Sequence, residues 1–130
     1  MIVQLSLATK ARSSLEDITA SVEKAVRDSG RREGLACVYV PHTTAGITIN
    51  EGADPDVKAD ILSTLERLVP WQGPYRHGEG NAAAHVKAML VGSSVTVPVH
   101  EGRLLLGTWQ SIYFCEFDGP RQRRVIVRVI

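Results

Sequence analysis

Four histidines, His42, His77, His85 and His100, carry most of the chemistry this sequence offers. His42 leads into Thr43 and Thr44. His77 lies in the Gly-rich stretch from Pro74 to Gly80, and His85 follows after Asn81 and three alanines. Two imidazoles with a third from elsewhere suit zinc or another transition metal, which favours nitrogen ligands. His42 is the third candidate, because it ends an apolar strand-like run that would hold it rigidly. A Gly-rich loop before a helix also presents N–H groups to anions. Glu79 in that loop would repel an anion, and a cation resolves the conflict. The competing reading of His85 is a half-buried ring bonded to a carbonyl, and the His77–His85 spacing matches no short zinc motif.

An acidic cluster follows His42: Asn50, Glu51, Asp54, Asp56 and Asp60. Asp54 reads as a helix N-cap and Asp56 as a complement to the helix dipole. Asp60 is either a solvated surface group or a site residue. Glu51 and Asp60 are the candidate catalytic groups, since a carboxylate beside a metal acts as a base on bound water or orients a ligand histidine. Thr43, Thr44, Asn50, Lys87 and Arg103 are assigned to substrate binding, with Lys87 and Arg103 supplying positive charge for an anionic substrate. A solvated arginine is the alternative at Arg103. The expected cofactor is a divalent metal, zinc first, with magnesium where the substrate is phosphorylated.

These residues need a frame of ordinary size. The chain has 130 residues and 22% charged side chains, which suits one domain spanning 1–130. Its net charge of +1 argues against nucleic-acid binding through phosphate neutralisation. Arg121, Arg123, Arg124 and Arg128 read as a solvated strand face. No run is long and apolar enough for a membrane span, and no secretory signal is visible. Cys37 and Cys115 lie in apolar runs and read as free buried thiols of a cytoplasmic protein, with one disulfide as the alternative.

Periodicity places the elements. The opening IVQLSLAT alternates as a strand. Ser13 and Glu16 match a capping box, and Leu15, Ile18, Val22, Ala25 and Val26 predict a helix over 14–29, stopped by Gly30. LACVYV and ITIN read as strands. Asp54-Pro55 opens a helix whose buried stripe is Val57, Ile61, Leu65 and Leu68. Asn81 is the expected N-cap of a short helix ending before Gly92. SVTVPV, LLLGTW, SIYFCEF and RRVIVRVI complete the strands, with Pro98 marking an edge or a bulge and Trp109 read as core. Late strands joined by short turns predict an α+β fold: a largely antiparallel β-sheet sandwich with two main helices and one short helix.

Several separated motifs resemble the YjbQ family, often labelled secondary thiamine-phosphate synthases. They are His42-Thr43-Thr44-Ala45-Gly46, Thr48-Ile49-Asn50-Glu51, Asp54-Pro55 with Val57 and Asp60, and Tyr75 with His77. Glu79-Gly80-Asn81, His85-Val86-Lys87, Ser94 through Pro98-Val99 to Gly102-Arg103, and Gly107-Thr108-Trp109-Gln110 complete the set. The resemblance implies a compact α+β homotrimer with a three-histidine metal site, carried onto His42, His77 and His85, and with Asn50, Glu51 and Asp60 nearby. It implies an enzyme that joins a pyrimidine pyrophosphate to a thiazole phosphate. Many relatives carry an acid where this chain has Ala82, Ala83 and Ala84, a departure that implies weaker binding wherever that acid supports metal or substrate. Two other functions remain open: a metal-dependent hydrolase of a small phosphorylated substrate, and a non-enzymatic trimeric module.

Overall fold

A computed structural model describes residues 1–130. The elements in chain order are β1 (Ile2–Ala8), β2 (Ser14–Asp17), α1 (Thr19–Ser29), β3 (Glu33–Tyr39), β4 (Ala45–Glu51), α2 (Pro55–Leu68), α3 (Ala82–Val91), β5 (Ser94–His100), β6 (Arg103–Leu104), β7 (Gln110–Glu116) and β8 (Gln122–Val129). They form a five-stranded sheet in the order β1-β8-β3-β5-β6 and a three-stranded sheet in the order β2-β7-β4. Every paired strand is antiparallel. The expected α+β class, with its antiparallel sheets and three helices, is the observed one.

The main core lies between the sheets. Ala36, Val38, Val97, Val99, Val125 and Val127 from the larger sheet meet Ala45, Ile47, Ile112 and Phe114 from the smaller one. Val22, Ala25 and Val26 of α1 close this core, each valine contributing about 1.5–3 kcal/mol by its burial. Alternate residues of β7 face the other way. Tyr113, Cys115 and the following Phe117 pack with Leu15 and with Ala84 and Ala88 of α3. Strand β7 is therefore buried on both faces, and α2 and α3 cover the outer face of the smaller sheet.

Two segments depart from the periodic reading. Residues 14–17 form β2 rather than the first turn of a helix. Leu15 joins the cluster outside the smaller sheet while Val22 joins the core inside it, and one helix face cannot serve both sides. The capping box is absent: Glu16 stands opposite Phe114 in the ladder, and Asp17 Oδ1 accepts the Thr19 N–H at 2.9 Å to start α1. LLLGTW was expected as a strand, but β6 stops at Leu104. A turn follows, in which Gln110 Oε1 accepts the Gly107 N–H at 2.8 Å. Trp109 stands on that turn, 65% exposed, rather than in the core.

Smaller expectations are met or amended. Asp54 caps α2 by accepting the Asp56 N–H at 2.9 Å. No residue of α2 is fully buried, and Leu68 at its end is exposed rather than part of a buried stripe. Pro98 lies just past the end of β6, where its carbonyl accepts the Leu105 N–H and little pairing is lost by its missing donor. Both cysteines are free. No helix is long and apolar enough to cross a membrane.

Candidate functional site: a polar cleft lined by three histidines

His42 is carried on the turn between β3 and β4. That turn is fixed from several sides: the Val40 N–H donates to Ser93 O at 2.8 Å, and the Ile47 N–H donates to Gly92 O at 3.0 Å. Gly46 permits the second contact, because a Cβ there would stand 2.7 Å from Gly92 O. The end of α3 and the His42 turn are thus held together by close backbone packing. His85 lies in the first half of α3 and His77 in the loop before it. The two rings meet edge to face with centroids 5.3 Å apart.

All three imidazoles line one open cleft of about 740 Å³, in which only two of fourteen lining residues are hydrophobic. Thr43, Thr44, Glu79 and Asn81 share its walls with Asp118, Arg121 and Arg123. Beneath it lies a buried polar network. Arg123 donates through Nε to Glu116 Oε1 at 2.8 Å and through Nη2 to Glu116 Oε2, and Nη2 also reaches Thr44 Oγ1 at 2.8 Å. Glu116 further accepts from Thr9 Oγ1 at 2.6 Å and from the amides of Phe117 and Asp118. Burial alone would raise the Glu116 carboxyl, but Arg123, Thr9 and the Asp118 amide hold it below its ordinary value. This network ties the Thr44 turn to β7 and β8, and so fixes the floor of the cleft.

His42 Nε2 accepts the backbone N–H of Arg124 at 3.0 Å. Burial, then the guanidinium groups of Arg123 and Arg124, hold the ring below the usual histidine value. Asn81 occupies the N-cap position of α3 without capping it. Its Nδ2 donates instead to Asp118 Oδ2 at 2.8 Å. Its Oδ1 faces elsewhere, buried and without a partner, although Asn81 is only 7% exposed and lines the cleft. An orphaned carbonyl oxygen at that depth is costly unless a ligand or water meets it.

The donor chemistry of the cleft fits a transition metal, and its geometry fits in part. His77 and His85 are neighbours, with Glu79 Oε2 at 3.9 Å from His77 Nε2. No group of three His, Cys, Asp or Glu side chains converges on one point. His42 shares the cavity, but its Nε2 lone pair is taken by the Arg124 amide, and joining a metal through that nitrogen would require exchanging this bond.

The other candidates fall elsewhere. Glu51 folds over its own loop and accepts the amides of Ala53 and Asp54, at 2.5 and 3.2 Å. Asn50 and Asp60 line a separate, largely apolar cavity of about 400 Å³ under α2. Lys87 is 2% exposed, and its Nζ lies 2.6 Å from Glu66 Oε2, so it braces α3 against α2 rather than lining the histidine cleft. Arg103 lines a third cavity. His100 lies 2.9 Å from Glu33, also away from the cleft. Of the residues lining the cleft, the sequence does not single out Asp118, it reads Asn81 as a cap, and it places Arg121 and Arg123 on a solvated face. The alternation of Arg123, Val125, Val127 and Val129, all buried, is the signal that puts Arg123 inside.

Fold and cleft together define a small α+β protein with a polar, histidine-lined pocket. The chain belongs to the UPF0047, YjbQ-like family, whose model matches residues 3–130. It is 51% identical to the UPF0047 protein YugU of Bacillus subtilis, covering 100% of this chain and 99% of that protein. It is 49% identical to the UPF0047 protein MJ1081 of Methanocaldococcus jannaschii, covering 100% and 94%. Among solved structures, a YjbQ/UPF0047 family protein of Clostridium acetobutylicum superposes with a TM-score of 0.97 at 55% identity, covering 98% of this chain and 99% of the other. A YbjQ-like protein of Sulfolobus solfataricus gives a TM-score of 0.95 at 34% identity, over 99% and 95%.

Proposed function

We propose that the histidine cleft is a metal-assisted site for a small phosphorylated substrate, held by His77 and His85 with His42 joining as the third ligand. The observation that carries this reading is the meeting of three imidazoles, from two distant stretches of sequence, in one polar cavity. Three nitrogen donors favour zinc over magnesium. The bound cation would supply positive charge to phosphate oxygens. Arg121 and Arg123 face the same cavity, and Thr43 and the orphaned Asn81 Oδ1 are placed to orient the polar groups of a substrate. Glu79, beside His77, takes over the acid–base role first assigned to Glu51 and Asp60, because neither of those lines the cleft.

The reaction that family resemblance implies is the joining of a pyrimidine pyrophosphate to a thiazole phosphate. Assembly as a homotrimer belongs to the same reading, supported by the exposed apolar side chains Leu68, Met89, Leu90, Leu105 and Trp109. So does a cytoplasmic location, supported by two free thiols. The test is elemental mass spectrometry on untagged wild type and on the His77→Ala/His85→Ala variant, followed by assays with both phosphorylated halves. About one transition metal per chain, lost in the variant, together with product that requires both halves, supports the proposal. No metal in wild type after zinc incubation and dialysis overturns the site. Turnover of one phosphorylated half with water alone would replace the synthase with a hydrolase.

A further inference from the structure

A second charged cavity lies away from the histidine cleft, at the far end of α1. It measures about 470 Å³ and is lined by eight residues, none hydrophobic. Four are arginines: Arg27 on the last turn of α1, Arg31 and Arg32 in the loop after it, and Arg103 at the start of β6. Glu23 and Glu101 line the same cavity. None of the four guanidinium groups forms an ion pair with them or with any other carboxylate. Four like charges gathered without a partner repel one another, and here the unfavourable arrangement is built on a backbone pinned at several points.

Gly30 ends α1 in the left-handed conformation, and its N–H donates to Arg27 O at 3.1 Å. The Arg31 N–H donates to Ser29 Oγ at 3.2 Å. Glu101 and Gly102, both at positive φ, form a two-residue turn between His100 and Arg103, which are paired across β5 and β6. The Gly102 N–H donates to Arg32 O at 2.9 Å and locks this hairpin to the loop after α1. The carboxylate of Glu33 ties the hairpin down a second time, through His100. Arginine forks projected from a fixed frame lose less freedom on binding than arginines on a mobile loop.

We propose that this cavity is an anion-binding site, separate from the histidine cleft, for a small ligand carrying two adjacent phosphate groups. Each guanidinium offers a fork that matches two phosphate oxygens, and four forks around a cavity of this size suit a diphosphate better than a lone phosphate. The C-terminal end of α1 presents negative partial charge nearby, and the four guanidinium groups outweigh it. Glu23 is partly engaged, accepting the Leu104 N–H at 3.4 Å. Glu101 stands 3.7 Å from His100 Nε2, so its charge is directed toward that ring. The assignment does not rest on the metal reading.

Isothermal titration calorimetry with inorganic pyrophosphate tests it, using wild type, Arg27→Gln/Arg103→Gln and His77→Ala/His85→Ala. The expected result is one saturable site per chain, about tenfold or more weaker for inorganic phosphate. The site weakens by a similar factor in the arginine variant and is retained in the histidine variant. All four arginines are exposed, and an unchanged melting temperature in the arginine variant confirms that its fold is intact. Three outcomes overturn the assignment: no saturable heat at millimolar pyrophosphate, equal affinity in the arginine variant, or binding lost only in the histidine variant, which would put the anion in the other cleft.

Discussion

His42 and Arg124, separated by 82 positions in sequence, are joined by a hydrogen bond from the Arg124 amide to His42 Nε2 at 3.0 Å. An accepting nitrogen carries no proton, so the neutral ring holds its proton on Nδ1. Protonating Nε2 breaks the bond and adds charge beside Arg123 and Arg124. Nitrogen-15 NMR is therefore expected to find His42 as the Nδ1–H tautomer at neutral pH, titrating below the ordinary histidine value. The sign for stability follows from that depression. The contribution is present above the unfolded-state value, about 6.5, and is lost as pH falls through the lower folded-state value. A dominant Nε2–H tautomer would remove this account.

The same bond makes metal ligation by His42 visible at a distance. A cation taken by Nε2 displaces the Arg124 amide, whose proton must then find water or another acceptor. Titration with zinc is expected to shift the Arg124 amide resonance together with the ring signals of His77 and His85. Ring signals that move while Arg124 stays still would leave a two-histidine site, with His42 kept as the acceptor of the Arg124 amide through Nε2.

The buried Glu116–Arg123 pair sets the floor of the cleft and should be expensive to break from one side. Glu116 is 0% and Arg123 6% exposed. Arg123→Met leaves a buried carboxylate without its counter-charge, and a loss of about 3–5 kcal/mol is expected in urea denaturation. The double variant Glu116→Gln/Arg123→Met should recover most of that loss. The glutamine carbonyl still accepts the Phe117 and Asp118 amides, and its NH2 meets the Thr9 hydroxyl. Because the Glu116 carboxyl is held below its ordinary value, its contribution is present above the unfolded-state value and fades as pH falls through the folded-state one. Equal losses in the single and double variants would show that packing, not charge, is what matters there.

Burial also separates the two thiols. Cys115 is 1% exposed on the doubly covered strand β7, and burial pushes its thiol up to about 12. Little thiolate exists there at neutral pH. An aromatic disulfide reagent is expected to label one thiol per native chain, at the half-buried Cys37, and the second only on denaturation. Fast labelling of both in the native state would contradict the packing of α3 on β7.

What the sequence made legible was whatever local chemistry decides. Asp54-Pro55 announced α2 correctly, and alternation announced the strands, because cap geometry and the two-residue period act over a few positions. Leu15 misled because its spacing to Ile18 and Val22 satisfies a helix equally well. Only the presence of two clusters on opposite sides of one sheet decides the matter, and that is a tertiary fact. LLLGTW misled for the opposite reason: its apolar content suits a strand, but Gln110 closes a turn over Gly107. In the site, the histidines stood out by type and neighbourhood. Glu51 and Asp60 stood close to His42 along the chain, yet the fold directs one to loop amides and the other to the cavity under α2. Arg123 and Asn81 look ordinary as letters and acquire meaning only through what they touch.

Lys87 poses the sharpest choice between sequence and structure. Its motif neighbourhood, just after His85, assigned it to a substrate. In the fold it is 2% exposed, with Nζ 2.6 Å from Glu66 Oε2. Helix α2 has no fully buried residue, and this contact joins the packing of the half-buried Ile61, Leu62 and Leu65 in holding it to the cluster that includes Ala84 and Ala88 of α3. The roles predict different mutants. If Lys87 is a brace, Glu66→Gln strands an ammonium group in the interior and should lose about 1–2 kcal/mol, a figure discounted because the Glu66 side chain is 40% exposed. Lys87→Met, which removes the charge and keeps the stem, should lose less, while in both variants the amide protons of α2 exchange faster than in wild type. Metal content should stay at the wild-type level in both. A Lys87→Met protein with native α2 protection but abolished substrate binding would instead restore the assignment to substrate, and would require α2 to lift from α3 for the ligand to reach it.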